Sequence, residues 1–443
     1  MSAPPAPRSA RKLALLPLIA ATYFIVSGGP FGLEDTVSAA GYGGAILILL
    51  LTPVLWSFPT ALMVSELASA LPEDGGYYVW VKRGMGRFWG FQEAWLSLVG
   101  SVFDMALYPT LFVSYLGHFL PAMTSGQRAT WIGVGLIAAA AAWNLLGAKT
   151  VGGSSMVMGV LLLSPFAVLA AASVFHGAMF AAHATPPRHA DILGGVLVAM
   201  WNYMGWDNTS TVAGEVENPR RTYPRAMAGA VVLVALGYVL PIAAVALTGF
   251  DANRWETGGW ADVARAVLGT GAAGVVVALG ITVGGMLGAA GSLNALTMAL
   301  SRVPAALAED GFLPRIFARR DPKTGAPRWA IVGCAAAWAL GLALPFGKLV
   351  MLDMLLTGSS ILLEFAALVA LRVREPQLGR PYRVPGGMAG AIAVSIPPAA
   401  LMVLTAVRNR VEPVGPINAL QFGGILMALG VVAYFVGGLF RKS

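Results

Sequence analysis

Twelve long apolar stretches follow one another along the chain, separated by short segments rich in polar residues, Pro and Gly. An α-helix needs about 20 consecutive apolar residues to cross the hydrocarbon core of a bilayer. Several of the stretches exceed one bilayer thickness, which indicates tilted or broken helices. The pattern therefore predicts an all-α membrane protein with 12 transmembrane helices, at 14–40, 44–70, 89–119, 130–147, 154–182, 191–216, 226–249, 267–301, 329–346, 349–371, 387–407 and 417–440.

The composition agrees with this pattern and excludes a soluble globular protein. Hydrophobic residues make up 57% of the 443 positions and charged residues only 11%, whereas soluble domains carry about 25% charge. A buried core cannot absorb that difference, so most of the surface must face lipid. The net charge of +8 comes from short basic clusters between the apolar stretches. These clusters favour a role in membrane topology, and no nucleic-acid partner is expected.

The distribution of basic residues predicts the orientation in the membrane. With the N-terminus in the cytoplasm, 22 of the 29 Lys and Arg residues fall on the cytoplasmic side, which is the side that carries such an excess. The even number of spans then places the C-terminus in the cytoplasm as well. The predicted organisation is a cytoplasmic tail (1–13), five spans (14–182), five further spans (191–371) and two last spans (387–440), in the inner membrane of the cell.

The first and sixth predicted spans are interrupted by residues that end helices. The first contains Ser27, Gly28, Gly29 and Pro30, and each such glycine disfavours a helix by about 1 kcal/mol and a proline by about 3 kcal/mol. The sixth contains a polar and aromatic segment at 201–209. Since unsatisfied backbone is not tolerated in lipid, both breaks must line a cavity enclosed by protein. The alternative for the first is that its paired glycines only permit close helix packing.

The two breaks occupy corresponding positions in two groups of five spans. This arrangement is typical of transporters that are built from an inverted repeat. A broken helix presents N–H groups and a positive dipole end to an anion, and carbonyl groups to a cation. The pattern therefore predicts a solute-binding site midway across the membrane, between the first and sixth spans.

Acidic residues inside the predicted spans are a second unusual feature. A carboxylate at the membrane centre costs about 2.5–3.5 kcal/mol, so such residues are retained for a partner. With no Lys or Arg deep in the same spans, the expected partner is a proton, a metal ion or a cationic solute. The acids that stand out are Glu34, Asp35, Glu66, Asp104, Asp207, Glu215, Asp353 and Glu364.

The candidate binding site collects the acids and aromatic residues nearest the two breaks. Acids near the span ends (Glu66, Glu215 and Glu364) are assigned instead to a gate or to solvated ends. An aromatic face can bind an ammonium group by a cation–π contact or close over it, and Phe31 and Trp201 are the predicted gate residues. Each candidate acid has the alternative of being a protonated, hydrogen-bonded core residue. The predicted substrate-binding residues are Ser27, Gly28, Gly29, Glu34, Asp35, Asp104, Tyr108, Trp201, Asn202, Tyr203, Trp206 and Asp207.

Three motifs along the chain carry a family resemblance. They are Glu66-Leu67-Ala68 with Pro72-Glu73-Asp74-Gly75-Gly76-Tyr77-Tyr78, Tyr203-Met204-Gly205-Trp206-Asp207 with Ala213-Gly214-Glu215-Val216-Glu217-Asn218-Pro219, and Ala308-Glu309-Asp310-Gly311-Phe312-Leu313-Pro314 with Pro322-Lys323-Thr324-Gly325-Ala326-Pro327. In this order they resemble the signatures of the amino acid–polyamine–organocation (APC) superfamily of permeases. The resemblance implies a LeuT-type fold of two five-helix inverted repeats. It also implies that Gly28 and Gly29 lie in the unwound first helix and that Trp201 is the gating aromatic residue of the sixth.

Two further segments, 27–35 and 103–109, are most similar to the eukaryotic polyamine-uptake branch of that superfamily. This resemblance implies proton-coupled uptake of cations such as putrescine or spermidine. Some proton-coupled amino acid relatives carry a lysine in the fifth helix that stands in for a sodium ion, but 154–173 contains no lysine. Asp35 or Asp104 is therefore the better candidate for carrying the proton.

The residues and the resemblance together predict a secondary active transporter that imports a small cationic amine, such as putrescine or spermidine, by alternating access. The alternative is an amino acid permease, for uptake or exchange, in which free N–H groups at 27–29 bind an α-carboxylate. An enzyme is not expected, because the sequence has no metal-ligand cluster, no Gly-x-Ser-x-Gly motif and no phosphate-binding loop. No cofactor and no bound metal are expected, and the coupling ion implied is a proton. The sequence leaves the oligomeric state open.

Overall fold

The computed structural model describes residues 14–440 except 74, 147–154, 178–189 and 211–215. Regular structure in these ranges is helical apart from one short strand pair, Pro413–Val414 with Ile417–Asn418. A π-helical turn, Pro53–Ser57, joins α2 to α3, and single 3-10 turns lie at Pro121–Met123, Ala252–Arg254 and Arg315–Ala318. The helices are α1 (Leu15–Val26), α2 (Glu34–Thr52), α3 (Phe58–Ala70), α4 (Gly76–Met85), α5 (Arg87–Leu116), α6 (Gly126–Leu145), α7 (Ser155–Gly177), α8 (Ile192–Asn202), α9 (Pro219–Ala246), α10 (Trp260–Leu268), α11 (Ala272–Leu300), α12 (Arg302–Glu309), α13 (Arg328–Gly341), α14 (Phe346–Arg374), α15 (Gly387–Ala393), α16 (Ile396–Asn409) and α17 (Ala419–Phe440).

The helices confirm a multi-pass membrane protein. Large apolar side chains such as Leu240, Val276 and Phe435 are exposed, which would be costly in water and is favourable against lipid. Each of the predicted apolar stretches contains at least part of a helix. Seven helices of the described ranges are long and apolar enough to cross a membrane, namely Glu34–Ala70, Arg87–Leu116, Arg221–Ala246, Ala272–Glu309, Phe346–Arg374, Gly387–Asn409 and Ala419–Gly437.

Two helices are short because the chain leaves the helical conformation inside an apolar stretch. Helix α1 has 12 residues and ends at Val26, and the chain becomes helical again at Glu34. Helix α8 has 11 residues and ends at Asn202. A helix of 12 residues is only about 18 Å long, against about 30 Å of hydrocarbon. Both helix breaks that the sequence predicts are therefore present.

The boundary between the first two predicted spans is a single glycine. Gly41 lies within α2 but has a non-helical conformation, with φ 67° and ψ 173°. Residues with a side chain rarely adopt such a positive φ, so the glycine lets the chain change direction there. This position falls between the predicted spans 14–40 and 44–70.

Helix α5 lies at the centre of the bundle. It packs against α4, α6, α11, α13, α14 and α17, and α14 runs antiparallel to it. Around this centre, α1 packs against α7, α9 and α11, while α8 packs against α2 and α14. We refer to the end of the bundle where α4 lies, α5 begins and α14 ends as the α4 end, and to the opposite end as the α10 end.

A buried ion pair at the α4 end corrects the expectation for Glu66. Its side chain is 1% exposed, and its Oε1 accepts a hydrogen bond from Nε of Arg372 at 2.9 Å and lies 3.3 Å from Nε of Arg380. Glu66 is therefore not a solvated end. The prediction that basic partners are missing is wrong for this acid, because its partners lie more than 300 residues further along the chain.

Candidate substrate-binding site

A small cavity of about 40 Å³ lies between the two helix breaks. Its walls come from the last residues of α1, the start of α4, the inward face of α5, the second break, and parts of α11 and α14. None of the described Lys or Arg residues lines it. Six of the predicted binding residues do, namely Ser27, Asp104, Tyr108, Trp201, Asn202 and Asp207.

The first break is built from glycines in left-handed conformations. Gly28 and Gly29 have φ of +62° and +112°, a region that favours glycine. They face neighbouring helices rather than the cavity, and a Cβ on Gly28 would lie 2.6 Å from Oγ of Ser292. The N–H groups of Ser27 and Gly28 donate to the Tyr23 carbonyl at 2.7 and 3.4 Å, and that of Gly29 donates to Oγ of Ser27 at 3.1 Å. Each N–H group at 27–29 thus already has an acceptor.

Aromatic side chains satisfy carbonyl groups that the breaks release. Nε1 of Trp260 donates to the Pro30 carbonyl at 2.8 Å in the first break. The Tyr238 hydroxyl donates to the Asn202 carbonyl at 2.7 Å in the second. Because unpaired carbonyls inside a membrane cost several kcal/mol each, these donors stabilise both breaks without a ligand.

Asp104 and Trp201 form the polar centre of the cavity. Nε1 of Trp201 donates to Oδ1 of Asp104 at 3.1 Å, and the Tyr108 hydroxyl, one turn along α5, also interacts with that carboxylate. The indole lies between the Tyr108 ring, 6.2 Å away, and the Phe346 ring, 5.5 Å away and perpendicular to it. Phe346, which the sequence analysis did not select, is thus the aromatic partner of the predicted gate residue Trp201.

Asp207 is the second carboxylate of the cavity. It follows Gly205, whose φ of +96° lies outside the helical region, and it begins a short helical turn at 207–210. The side chain is 5% exposed, and its Oδ1 has no hydrogen-bond partner among the described residues. Two carboxylates facing one enclosed space without a fixed cation give the cavity a negative potential, so it can bind a cation.

Two other predicted acids lie toward the α10 end and do not line the cavity. Oε1 of Glu34 accepts a hydrogen bond from the Gly258 N–H at 3.1 Å, and both carboxylate oxygens of Asp35 lie 3.0 Å from the Thr257 hydroxyl. Asp35 also lines a separate pocket of about 320 Å³, together with Asp191. The breaks bring Asp104 and Asp207 together but separate them from this pair.

Three of the predicted aromatic residues also point away from the cavity. Phe31 packs against Tyr115, with ring centroids 5.1 Å apart, so the two predicted gate residues do not lie together. The Tyr203 hydroxyl donates to the Leu49 carbonyl at 2.9 Å, and Nε1 of Trp206 donates to the Tyr203 carbonyl at 2.7 Å. Tyr203 and Trp206 are fully buried and connect the second break to the helices behind it.

One acid on the inward face of α5 was not predicted from the sequence. Glu93 lies in the predicted span 89–119 but was not among the acids that stood out, and it is fully buried. Tyr77 and Thr357 line the cavity and were also missed. Helical spacing was the signal that could have found the α5 residues, because positions three and four apart share a face. The residues on that face are Glu93, Ser97, Ser101, Asp104 and Tyr108.

The remaining acids have separate outcomes. Asp353 is fully buried on α14 and accepts a hydrogen bond from Thr357 at 2.7 Å. Glu364 is fully buried on the same helix, so its interpretation as a solvated end is wrong. Glu215 lies outside the described residues.

Comparisons with known proteins identify the family. A sequence model described as amino acid permease matches residues 19–432. Polyamine transporter PUT1 of Oryza sativa subsp. japonica is 36% identical over 433 residues, which cover 96% of this chain and 78% of that protein. A probable polyamine transporter of Arabidopsis thaliana is 37% identical over 410 residues (90% and 80%), and polyamine transporter RMV1 of the same plant is 33% identical over 436 residues (94% and 84%). Because the match spans nearly the whole chain, the protein belongs to the amino acid permease family, as its motifs predict.

Proposed function

We propose that the protein is a secondary active transporter that imports a polyamine, such as putrescine or spermidine, across the cell membrane by alternating access. One observation carries the proposal: Asp104 and Asp207 share a cavity that none of the described basic residues lines. Relatives with at least 33% identity over most of the chain are named polyamine transporters, which supports the choice of substrate class. The proposal assigns the chain no enzymatic role.

The cavity suits an organic ammonium ion. Asp104 and Asp207 supply opposite charge, and the indole of Trp201 supplies an aromatic face for a cation–π contact. Within the described ranges, no three His, Cys, Asp or Glu side chains come together as a metal site. A dication that moves inward gains about 4.6 kcal/mol per 100 mV of membrane potential, so the potential alone favours uptake of a diamine.

We propose the LeuT-type architecture as the framework for this transport. Its two five-helix repeats are 14–182 and 191–371, followed by two further spans at 387–440, which gives twelve spans with the first and sixth broken. The matching positions of the two breaks support this assignment. Both termini lie in the cytoplasm under this proposal, because the basic residues cluster on that side, and the α4 end then faces the cytoplasm.

We further propose that uptake is coupled to protons through Asp104. This acid contacts Trp201, the predicted gate residue, through a hydrogen bond of 3.1 Å. A change in its protonation would therefore act directly on the residue that covers the cavity. Asp35, the other proton candidate, is bound to Thr257 and does not line the cavity.

The second candidate function is transport of an amino acid, which the family match favours. The α-carboxylate of such a substrate was expected to bind free N–H groups at 27–29. Each of those groups already has an acceptor, which weakens this candidate. Competition by methyl esters separates the two functions, because an amino acid site loses affinity when the carboxylate is capped and a polyamine site does not.

Uptake by reconstituted protein tests the proposal. Proteoliposomes with an imposed inside-negative potential should accumulate labelled putrescine or spermidine above empty vesicles, and an inward proton gradient should increase the rate. Accumulation of amino acids with no polyamine uptake would reject the polyamine function. Polyamine uptake that ignores the proton gradient would reject coupling alone.

A further inference from the structure

A row of polar side chains between α5 and α14 leads from the cavity toward the α4 end. Ser97 lines the cavity, and its hydroxyl lies 2.8 Å both from Oε1 of Glu93 and from Oγ of Ser360. Ser360 donates to the same Glu93 oxygen at 2.9 Å. Glu364 follows Ser360 by one turn of α14. We call Glu93 and Glu364 the lower acid pair.

The lower acid pair has no fixed cation among the described residues. Both side chains are 0% exposed, and Oε2 of Glu93 and both oxygens of Glu364 have no hydrogen-bond partner in the part of the chain that the structure describes. Glu66, equally buried, lies against Arg372 instead. A buried carboxylate without a partner is strongly destabilising, so this pair is suited to a cation that is not part of the chain.

A buried tyrosine independently indicates a ligand at the same place. Tyr77 lines the cavity and is 1% exposed, yet its hydroxyl makes no hydrogen bond to any described residue. Its phenol lies within electrostatic range of Glu93, Asp207 and Glu364. Since buried tyrosine hydroxyls normally find a partner, this oxygen is available to accept a hydrogen bond from a bound donor.

We propose that the lower acid pair binds a second ammonium group of a linear polyamine whose first ammonium group lies between Asp104 and Asp207. The inference rests on the proposed function and specifies its substrate. Glu93 precedes Asp104 by 11 residues on α5, or about 16 Å of helix. Asp104 and the lower acid pair are thus two levels along the bundle, and Asp207 interacts electrostatically with Asp104 at one level and with Glu93 at the other. This continuous negative path matches a cation that carries several ammonium groups along a methylene chain.

The same arrangement selects for the number of amine groups. A monoamine bound at Asp104 and Asp207 leaves the lower acid pair without a partner. An α-amino acid carries a carboxylate beside its ammonium group, and that carboxylate would be repelled by the acids of the cavity. A triamine such as spermidine is long enough to place ammonium groups at both levels, and we therefore expect it to bind more tightly than a monoamine.

A series of amines tests the inference on the purified protein. Among butylamine, putrescine and spermidine, the wild type should give the lowest calorimetric dissociation constant for spermidine. Glu364→Gln, which removes charge and keeps shape, should weaken spermidine binding at least about tenfold and leave butylamine binding unchanged. Glu93→Gln should have the same effect on binding. It should also keep the local structure, because its amide oxygen can still accept the hydrogen bonds from Ser97 and Ser360. Glu309→Gln, at an exposed acid paired with Arg320, is the control and should match the wild type.

The outcomes separate this inference from the proposed function. Equal wild-type affinity for butylamine and spermidine overturns the inference while polyamine binding stands. Spermidine binding of wild-type strength in both glutamine variants overturns it in the same way. If the wild type binds α-amino acids and no amine of the series, the proposed function is wrong and the inference falls with it.

Discussion

Two sets of buried carboxylates in the same helix bundle have opposite surroundings. Glu66 lies against Arg372 and Arg380 at the α4 end. Asp104 and Asp207 face a cavity that no described basic side chain lines. A buried charge with a fixed partner is part of the architecture, whereas one without a partner remains available to a cation that arrives and leaves. The surroundings of each acid, rather than its depth in the membrane, therefore separate the structural acids from the candidate functional ones.

Helix α14 contributes to both the unpaired and the paired arrangement of charge. Glu364 on α14 has no partner among the described residues, and Arg372 on the same helix neutralises Glu66. The two positions are eight residues apart, or about 12 Å along the helix. The change from unpaired to paired charge thus occurs over little more than two turns, toward the α4 end of the bundle.

The largest effect is expected from removing the paired acid. Glu66→Gln leaves Arg372 and Arg380 buried without a carboxylate, and breaking a buried pair in this way costs about 3–5 kcal/mol. We expect a lower yield of folded protein and a clearly lower melting temperature in detergent. A variant that melts with the wild type would show that this ion pair is not structural.

Removing an unpaired acid should affect binding instead of folding. Asp207→Asn keeps the shape of the side chain, and loss of one partner of a buried charge pair costs about 2 kcal/mol or more. Polyamine binding should weaken about 30-fold or more, measured by calorimetry, at an unchanged melting temperature. Normal transport by the variant would remove Asp207 from the site.

A smaller effect is expected from the hydrogen bond between Trp201 and Asp104. Trp201→Phe keeps an aromatic ring against Phe346 but removes the indole N–H, and a hydrogen bond to a charged group contributes about 1.5–3 kcal/mol. Uptake rates in proteoliposomes should fall about tenfold while the amount of reconstituted protein stays constant. An unchanged rate would mean that this contact has no part in turnover.

The smallest effect is expected at an ion pair on the surface. Glu375 accepts two hydrogen bonds from Arg83, at 2.9 and 2.8 Å, which lower its pKa from the usual value of 4.5. A lowered pKa means that the pair stabilises the fold at neutral pH and that this contribution is lost as the pH falls through the pKa of the folded state. Because exposed pairs contribute less than about 1 kcal/mol, Glu375→Gln should barely move the melting temperature at pH 7. A large change in the melting temperature of this variant would contradict the expectation that only the buried ion pair of Glu66 is structurally important.

The sequence was sufficient to locate the two breaks and the acids beside them. Gly28, Gly29 and Gly205 all have positive φ, which only a residue without a side chain adopts readily, so their positions in apolar stretches were informative. Asp104 and Tyr108 were both selected from the sequence, and both line the cavity.

The sequence was insufficient where direction or distant contacts decide the outcome. Phe31 lies between two helices and Glu34 is the first residue of α2. The spacing of residues along a helix therefore could not show that both side chains point toward the α10 end. The pairing of Glu66 with Arg372 joins residues 306 positions apart, and one-dimensional patterns do not contain such contacts. Glu93 was overlooked because a hydropathy window averages over both faces of a helix, whereas the polar row on α5 occupies one face.

The carbonyl groups capped by Trp260 and Tyr238 have a consequence for affinity. Both breaks are held open by the protein's own hydrogen bonds, so an entering cation does not have to unwind a helix or order the backbone around it. Preorganisation of this kind removes an entropic penalty from association. Discrimination between solutes then depends on their length and charge rather than on their ability to reshape the protein.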